Sequence, residues 1–314
     1  MYQKLIYGFL FIFCFDTYLF ADSGDKSLNN IALIPLLQYE RLSLSSQSVN
    51  SVSTGIIAEN NNLTFMGLYT RYNLKEPLFE NFPKQYHSID ILVDAKYEKH
   101  QYVVIFKSDS DNPVEGGINT YQSGLVYGYT VVNKPNFSCV FGGGIAIGNF
   151  GLTNGSGDNI PIIPVPLIRI NYSDEIFEAK FEFLTSPNFN FTLAPKNKFR
   201  FIGDIRMDQL RDYRDIIYEF QLAYRPFSSN DEFGDFAGIS IGIKNDNYGE
   251  FTLGDKEVDD TYELHYNAVF MQADISVLKL STGYAFNGRS LYYGTKKENI
   301  GEGYFVNIQA MYPF

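Results

Sequence analysis

Three histidines and two cysteines are the side chains best suited to nucleophilic or metal chemistry in this chain of 314 residues. His87, His100 and His265 lie far apart, and no pair has the spacing of a zinc site or a catalytic dyad. His265 shares a strand face with Glu263, but side chains two apart on a strand point in parallel, so the pairing is loose. Cys14 sits in an apolar N-terminal run behind the bulky Phe13, where a lipid-attachment site wants a small residue. The glycines of Gly142-Gly143-Gly144-Ile145-Ala146-Ile147-Gly148 would cradle a phosphate only ahead of a helix. They lie instead in an alternating strand, with Phe141, Ile145 and Ile147 on one face and small residues on the other. A crowded interior or a bend is the expectation there. Asp109/Asp111/Glu115 and Asp255/Glu257/Asp259/Asp260 offer oxygen ligands to Ca²⁺ but match no defined loop, so solvated charge is expected. No catalytic residue, cofactor or metal site is expected, and the chain does not read as an enzyme.

Charge and composition narrow the classes further. The formal net charge of −11 excludes a polyanion partner, because binding phosphates needs clustered Lys and Arg. Tyr (24) and Phe (28) carry the whole aromatic load, since Trp is absent. A mean hydropathy of −0.15 excludes a polytopic helical membrane protein but not a membrane barrel, whose strands alternate polar and apolar. Residues 1–21 read as a signal peptide. Lys4 supplies the positive region, Leu5–Phe15 the apolar run, and cleavage after Ala21 leaves residues 22–314 as one domain. Cys139 would then be the sole thiol, which excludes an intrachain disulfide.

Most of residues 22–314 alternate with a period of two. Ile89, Ile91, Val93, Ala95 and Tyr97 oppose Asp90, Asp94 and Lys96. Phe177, Ala179, Phe181 and Phe183 oppose Glu178, Lys180 and Glu182. Phe199, Phe201, Ile205 and Met207 oppose Arg200, Asp204 and Arg206. Ile216, Tyr218, Phe220, Leu222 and Tyr224 oppose Glu219 and Arg225, and Tyr262, Leu264, Tyr266, Ala268 and Phe270 oppose Glu263 and His265. A soluble sandwich turns its apolar face inward, and a transmembrane barrel turns it outward. In the barrel, the charged residues just named would line the lumen.

Sixteen candidate strands can be counted, with twelve to sixteen as the range. Long and short connectors largely alternate along the chain, with 245–261 and 288–303 among the long ones; 226–235 and 185–188 break the alternation. Loops sorted this way suit an up-and-down barrel and have no cause in a sandwich. Asp208 to Asp215 has room for one helical turn.

The chain ends on Phe314, and Tyr312, Ala310, Ile308 and Val306 occupy its alternate positions. In this the sequence resembles bacterial outer-membrane β-barrel proteins, as a class rather than one family. The resemblance implies an all-β, transmembrane, antiparallel up-and-down barrel in the bacterial outer membrane, in contact with its lipid. It also implies recognition of Tyr312 and Phe314 by the barrel-assembly machinery, although Pro313 departs from the usual pattern. The function expected is a water-lined pore for passive passage of small polar solutes. The alternatives are a closed barrel with a structural or adhesive role at the surface, and a secreted soluble β-sandwich that binds a ligand.

Overall fold

The computed structural model describes residues 31–312, apart from 76–83, 114–116, 151, 153–159, 185, 208–215, 227–236, 253–260 and 293–295. The leader 1–21, Phe314, Glu115, the acidic run 255–260 and the turn expected at 208–215 fall outside the described residues.

Sixteen strands follow in chain order: β1 (Ala32–Leu44), β2 (Ser48–Glu59), β3 (Leu63–Leu74), β4 (Gln85–Tyr97), β5 (His100–Ser110), β6 (Gln122–Lys134), β7 (Phe137–Gly148) and β8 (Ile162–Ser173), then β9 (Phe177–Phe183), β10 (Pro187–Leu193), β11 (Phe199–Met207), β12 (Ile216–Tyr224), β13 (Ala237–Thr252), β14 (Thr261–Ile275), β15 (Leu278–Tyr292) and β16 (Lys296–Met311). Each pairs antiparallel with its sequence neighbours, and β1 pairs with β16, so the sheet closes on itself. Closure satisfies the edge hydrogen bonds that an open sheet would leave exposed.

At the end where β1 starts and β16 stops, most turns are short. Three of them, at Glu98, Ala194 and Ser276, contain non-glycine residues with φ of 54°, 55° and 53°. A fourth uses Asp174, whose Oδ1 accepts the backbone N–H groups of Ile176 and Phe177, both at 2.7 Å. The segment 225–236 is the long exception at this end.

Two connectors expected to be long are shorter than their sequences suggest. β13 runs on to Thr252 and β15 to Tyr292, so most of 245–261 and 288–303 is strand. These extensions carry polar residues on both faces, and period-two hydropathy does not register them. β13 goes further still. Beyond Asn245 its pairing with β12 stops while its pairing with β14 runs on, and Thr252 also pairs in parallel with Ser110 of β5, the strand diametrically opposite in the ring.

The outer face is apolar almost all round. Leu37, Ile145, Ile239 and Met271 are each more than half exposed, and neighbouring strands continue the band with Phe199, Leu222 and Tyr304. An exposed apolar surface of this extent marks a membrane or partner contact.

The inner face is packed over two arcs. One cluster joins Leu42, Leu44, Val49, Leu74 and Tyr86 to Tyr262, Leu264, Tyr266, Phe270, Ala285, Ile300 and Phe305. Its members come from β1–β4 and β14–β16, so it fills the lumen beside the first and last strands. The other joins Val103, Val126, Val140, Ala146, Val165 and Leu167 on β5–β8. The glycines of β7 belong to this second arc: a Cβ on Gly142 or Gly144 would collide with the carbonyl of Tyr127 or Leu125 on β6. The glycine stripe is therefore a close approach of two strands.

Candidate functional site

Charged side chains occupy the rest of the inner face, and register places each of them. Asp90 lies opposite Lys107, and Asp94 and Lys96 follow on the same face of β4. Asp94 accepts both hydrogen bonds of the Gln101 amide, at 2.7 and 2.9 Å. It is also ion-paired to Arg169 of β8, four strands away, so this contact spans the lumen. Arg169 pairs in addition with Glu182 of the adjacent β9. The bridge closes off the space between β4 and β8 beside the second apolar arc.

A second group gathers on β11–β14. The Lys244 ammonium lies 2.8 Å from Asp246 and 4.4 Å from the centre of the Phe305 ring. Arg206 approaches the same carboxylate at 3.8 Å, the Tyr266 hydroxyl donates to it at 3.2 Å, and Glu40 of β1 faces Lys244. Nearer the turn end, Arg225 is ion-paired to Asp274 across β13. Arg200 is buried and donates to the carbonyl of Asn197 at 3.0 Å.

Between these groups one row of side chains crosses the wall. Lys180 of β9 is level with Asn190 of β10, Asn190 with Asp204 of β11, Asp204 with Glu219 of β12, and Glu219 with Lys244 of β13. The Asn190 amide donates to Asp204 and the Gln221 amide to Glu219. Glu178 lies one step along β9, where it accepts from Ser173 at 3.2 Å. These residues border a cavity of about 380 Å³.

Eleven of the thirteen charged positions read from alternation thus lie on the inner face. Glu263 and His265 do not. Tyr262, Leu264 and Tyr266 turn into the first apolar arc, so the alternate positions on β14 point outward. Glu263 and His265 pair with each other there, at 2.8 Å. His265 also borders a rim cavity of about 650 Å³ with Asn245, Asn267 and Arg289. The inversion has a simple cause. Lower on β14 the odd positions are Val269, Met271, Ala273 and Ile275, so both faces of the strand are apolar and alternation alone cannot assign them.

Several interior charges lie beyond the sequence reading, Lys107 and Asp274 among them. Arg169 stands between Ile168 and Ile170 in a strand whose alternation would have revealed it. Glu40 alternates with Tyr39 in the same way. Lys244 continues the alternation of Ile239, Ile241 and Ile243 with Ser240 and Gly242, whereas Asp246 sits past its end, where alternation leaves no signal. Of the expected assembly positions, Tyr312 is exposed on the outer face and donates its backbone N–H to Pro35 at 3.2 Å.

No protein-family model matches the chain, and no curated protein does. Among solved structures the chain is similar to Acinetobacter baumannii OccAB3, at 9% identity over 90% of this chain and 99% of that one, with a TM-score of 0.42. It is similar to an outer membrane channel from Pseudomonas putida, at 12% identity over 93% and 99% of the two chains, TM-score 0.33. It is also similar to the outer membrane protein OprD from Pseudomonas aeruginosa, at 8% identity over 90% and 92%, TM-score 0.38. Likeness at this level leaves function to the barrel's own geometry.

Proposed function

We propose that the chain is an outer-membrane channel through which small polar solutes pass without energy input. The observation that carries this reading is the combination of a closed sixteen-strand ring, an apolar outer face and a polar cavity on the inner face. A closed ring satisfies every wall hydrogen bond internally, which hydrocarbon demands of any spanning sheet. Sixteen strands also make a ring wide enough to hold water when its interior is not filled. The leader of residues 1–21, and recognition of Tyr312 and Phe314 during assembly, belong to the same proposal and rest on the sequence alone. In this orientation the short turns face the periplasm and the β13–β14 end faces outward.

The test is single-channel recording of the refolded chain in a planar bilayer, with folding checked by heat-modifiable mobility on gels. Discrete ohmic steps support the channel. Silence from folded protein overturns it and leaves a closed barrel whose role lies at its outer surface.

A further inference from the structure

The inner face is not uniform, and the differences between its arcs locate the path. On β14–β16 and β1 the inward side chains are dry: Phe305 and Ala285 are 0% exposed and Leu264 1%. On β5–β8 they are dry again, with Val103, Val126 and Leu167 fully buried. On β9–β11 residues of the same orientation are wet. Glu178, Lys180 and Arg206 are exposed although they point into the ring. Water therefore reaches the interior chiefly along this wall; the exposed inward lysines Lys96 of β4 and Lys107 of β5 lie outside it.

The far end of the barrel agrees. The pairing of Thr252 with Ser110 carries the end of β13 across the mouth to β5 and divides it in two. One part, bounded by β14–β16 and β1–β4, is filled by the first apolar arc. The other, bounded by β6–β12, leads to the 380 Å³ cavity.

We propose that solutes cross through this second part alone, along the β9–β13 wall, and are selected at the row Lys180, Asn190, Asp204 and Glu219. This rests on the channel reading and specifies its route. The row has one cation, Lys180, that makes no ion pair among the described residues, against the two carboxylates of Asp204 and Glu219. Lys244 at its end is taken up by Asp246. Adjacent strands lie about 4.8 Å apart, so the row spans roughly 14 Å from Lys180 to Glu219. Around the cavity the carboxylates of Glu178, Asp204, Glu219 and Asp246 outnumber the cations of Lys180, Arg206 and Lys244, so the row favours cations, and solutes bearing an amine, over anions of the same size.

The test is cysteine accessibility in the refolded Cys139→Ala chain, using a small charged methanethiosulfonate. Lys180→Cys and Glu178→Cys place thiols on the proposed path, and Ala285→Cys and Val49→Cys place them in the filled part. Modification is read by mass shift and, separately, by conductance. The path positions should react at least about tenfold faster than the filled positions and reduce the single-channel step. Equal rates, or faster reaction at Ala285→Cys and Val49→Cys, overturn the route. Mass shifts report the route even if no conductance is seen, so failure of the channel reading is distinguishable. A reversal potential under a KCl gradient then tests the selecting row. Asp204→Asn combined with Glu219→Gln should remove the cation preference, and an unchanged potential overturns the row's role.

Discussion

Lys244 offers the sharpest energetic test of the interior. Its ammonium is held by Asp246 at 2.8 Å and lies over the rings of Phe305 and Tyr266, at 4.4 and 5.4 Å. Lys244→Met keeps the stem and its packing but removes the charge. Asp246 then retains the Tyr266 hydroxyl at 3.2 Å and, for its charge, Arg206 at 3.8 Å, a side chain that is 47% exposed and poorly placed to replace the lost partner. Breaking a buried pair from one side costs about 3–5 kcal/mol, and the cation–ring contacts add about 0.5–2 kcal/mol. The partial help from Arg206 argues for the lower end, about 3 kcal/mol. With a urea dependence of about 2 kcal/mol per molar, the unfolding midpoint should fall by about 1.5 M. The assay is urea unfolding from thin lipid vesicles, followed by gel mobility and by tyrosine emission, since the chain has 24 Tyr and no Trp. Adding Asp246→Asn removes the stranded charge and should restore at least half of the loss. A wild-type midpoint for Lys244→Met, or a double variant no better than the single, would refute the reasoning.

Other positions give independent expectations. Gly144→Ala places a methyl against the Leu125 carbonyl, so β6 and β7 must part; a loss of about 1–3 kcal/mol is expected in the same urea titration. Ser276→Gly relieves a left-handed backbone at φ 53° and should raise the midpoint by the equivalent of about 1 kcal/mol. In the exposed turn, the Tyr172 hydroxyl and the N–H groups of Ile176 and Phe177 hold the Asp174 carboxyl below its ordinary value. A depressed carboxyl contributes stability above its unfolded pKa and loses it as pH falls through the folded one. Asp174→Ala should therefore be less stable than wild type at neutral pH, and the gap should close in acid; a gap independent of pH refutes the assignment.

Strand number and the outward faces of most strands are legible because an apolar outer face and a charged inner one impose a period of two. β9 shows this at its simplest: Phe177, Phe181 and Phe183 face out, and Glu178, Lys180 and Glu182 face in. The signal fails where the environment stops being two-sided. On β14 the inner face is filled with Tyr262, Leu264 and Tyr266 while Val269 and Met271 are exposed outside, so apolar residues mark both faces and alternation places Glu263 and His265 on the wrong one. Beyond Lys244 on β13 both faces are polar, and strand is indistinguishable from loop. The row at the cavity was half legible. Lys180, Asp204 and Glu219 each stood out on their own strand, but only cross-strand register brings them level. The contact between Asp94 and Arg169 had no local trace, because it joins residues from strands that are not neighbours.

The low part of the wall bears on the bilayer itself. β9 and β10 have seven residues each, against sixteen in β13 and β16. At about 3.4 Å per residue, seven residues tilted by about 40° rise only about 18 Å, short of the usual apolar band of about 25 Å. Around the proposed outer-membrane channel, lipid beside β9 and β10 would have to thin to meet that height, while lipid beside β13–β16 would not. In the proposed outer-membrane setting the barrel would therefore sit in a membrane of uneven thickness, with its compressed sector next to the wetter wall. Such a sector carries an elastic cost of a fraction of a kcal/mol per Å, and this cost falls when two thin sectors share one boundary.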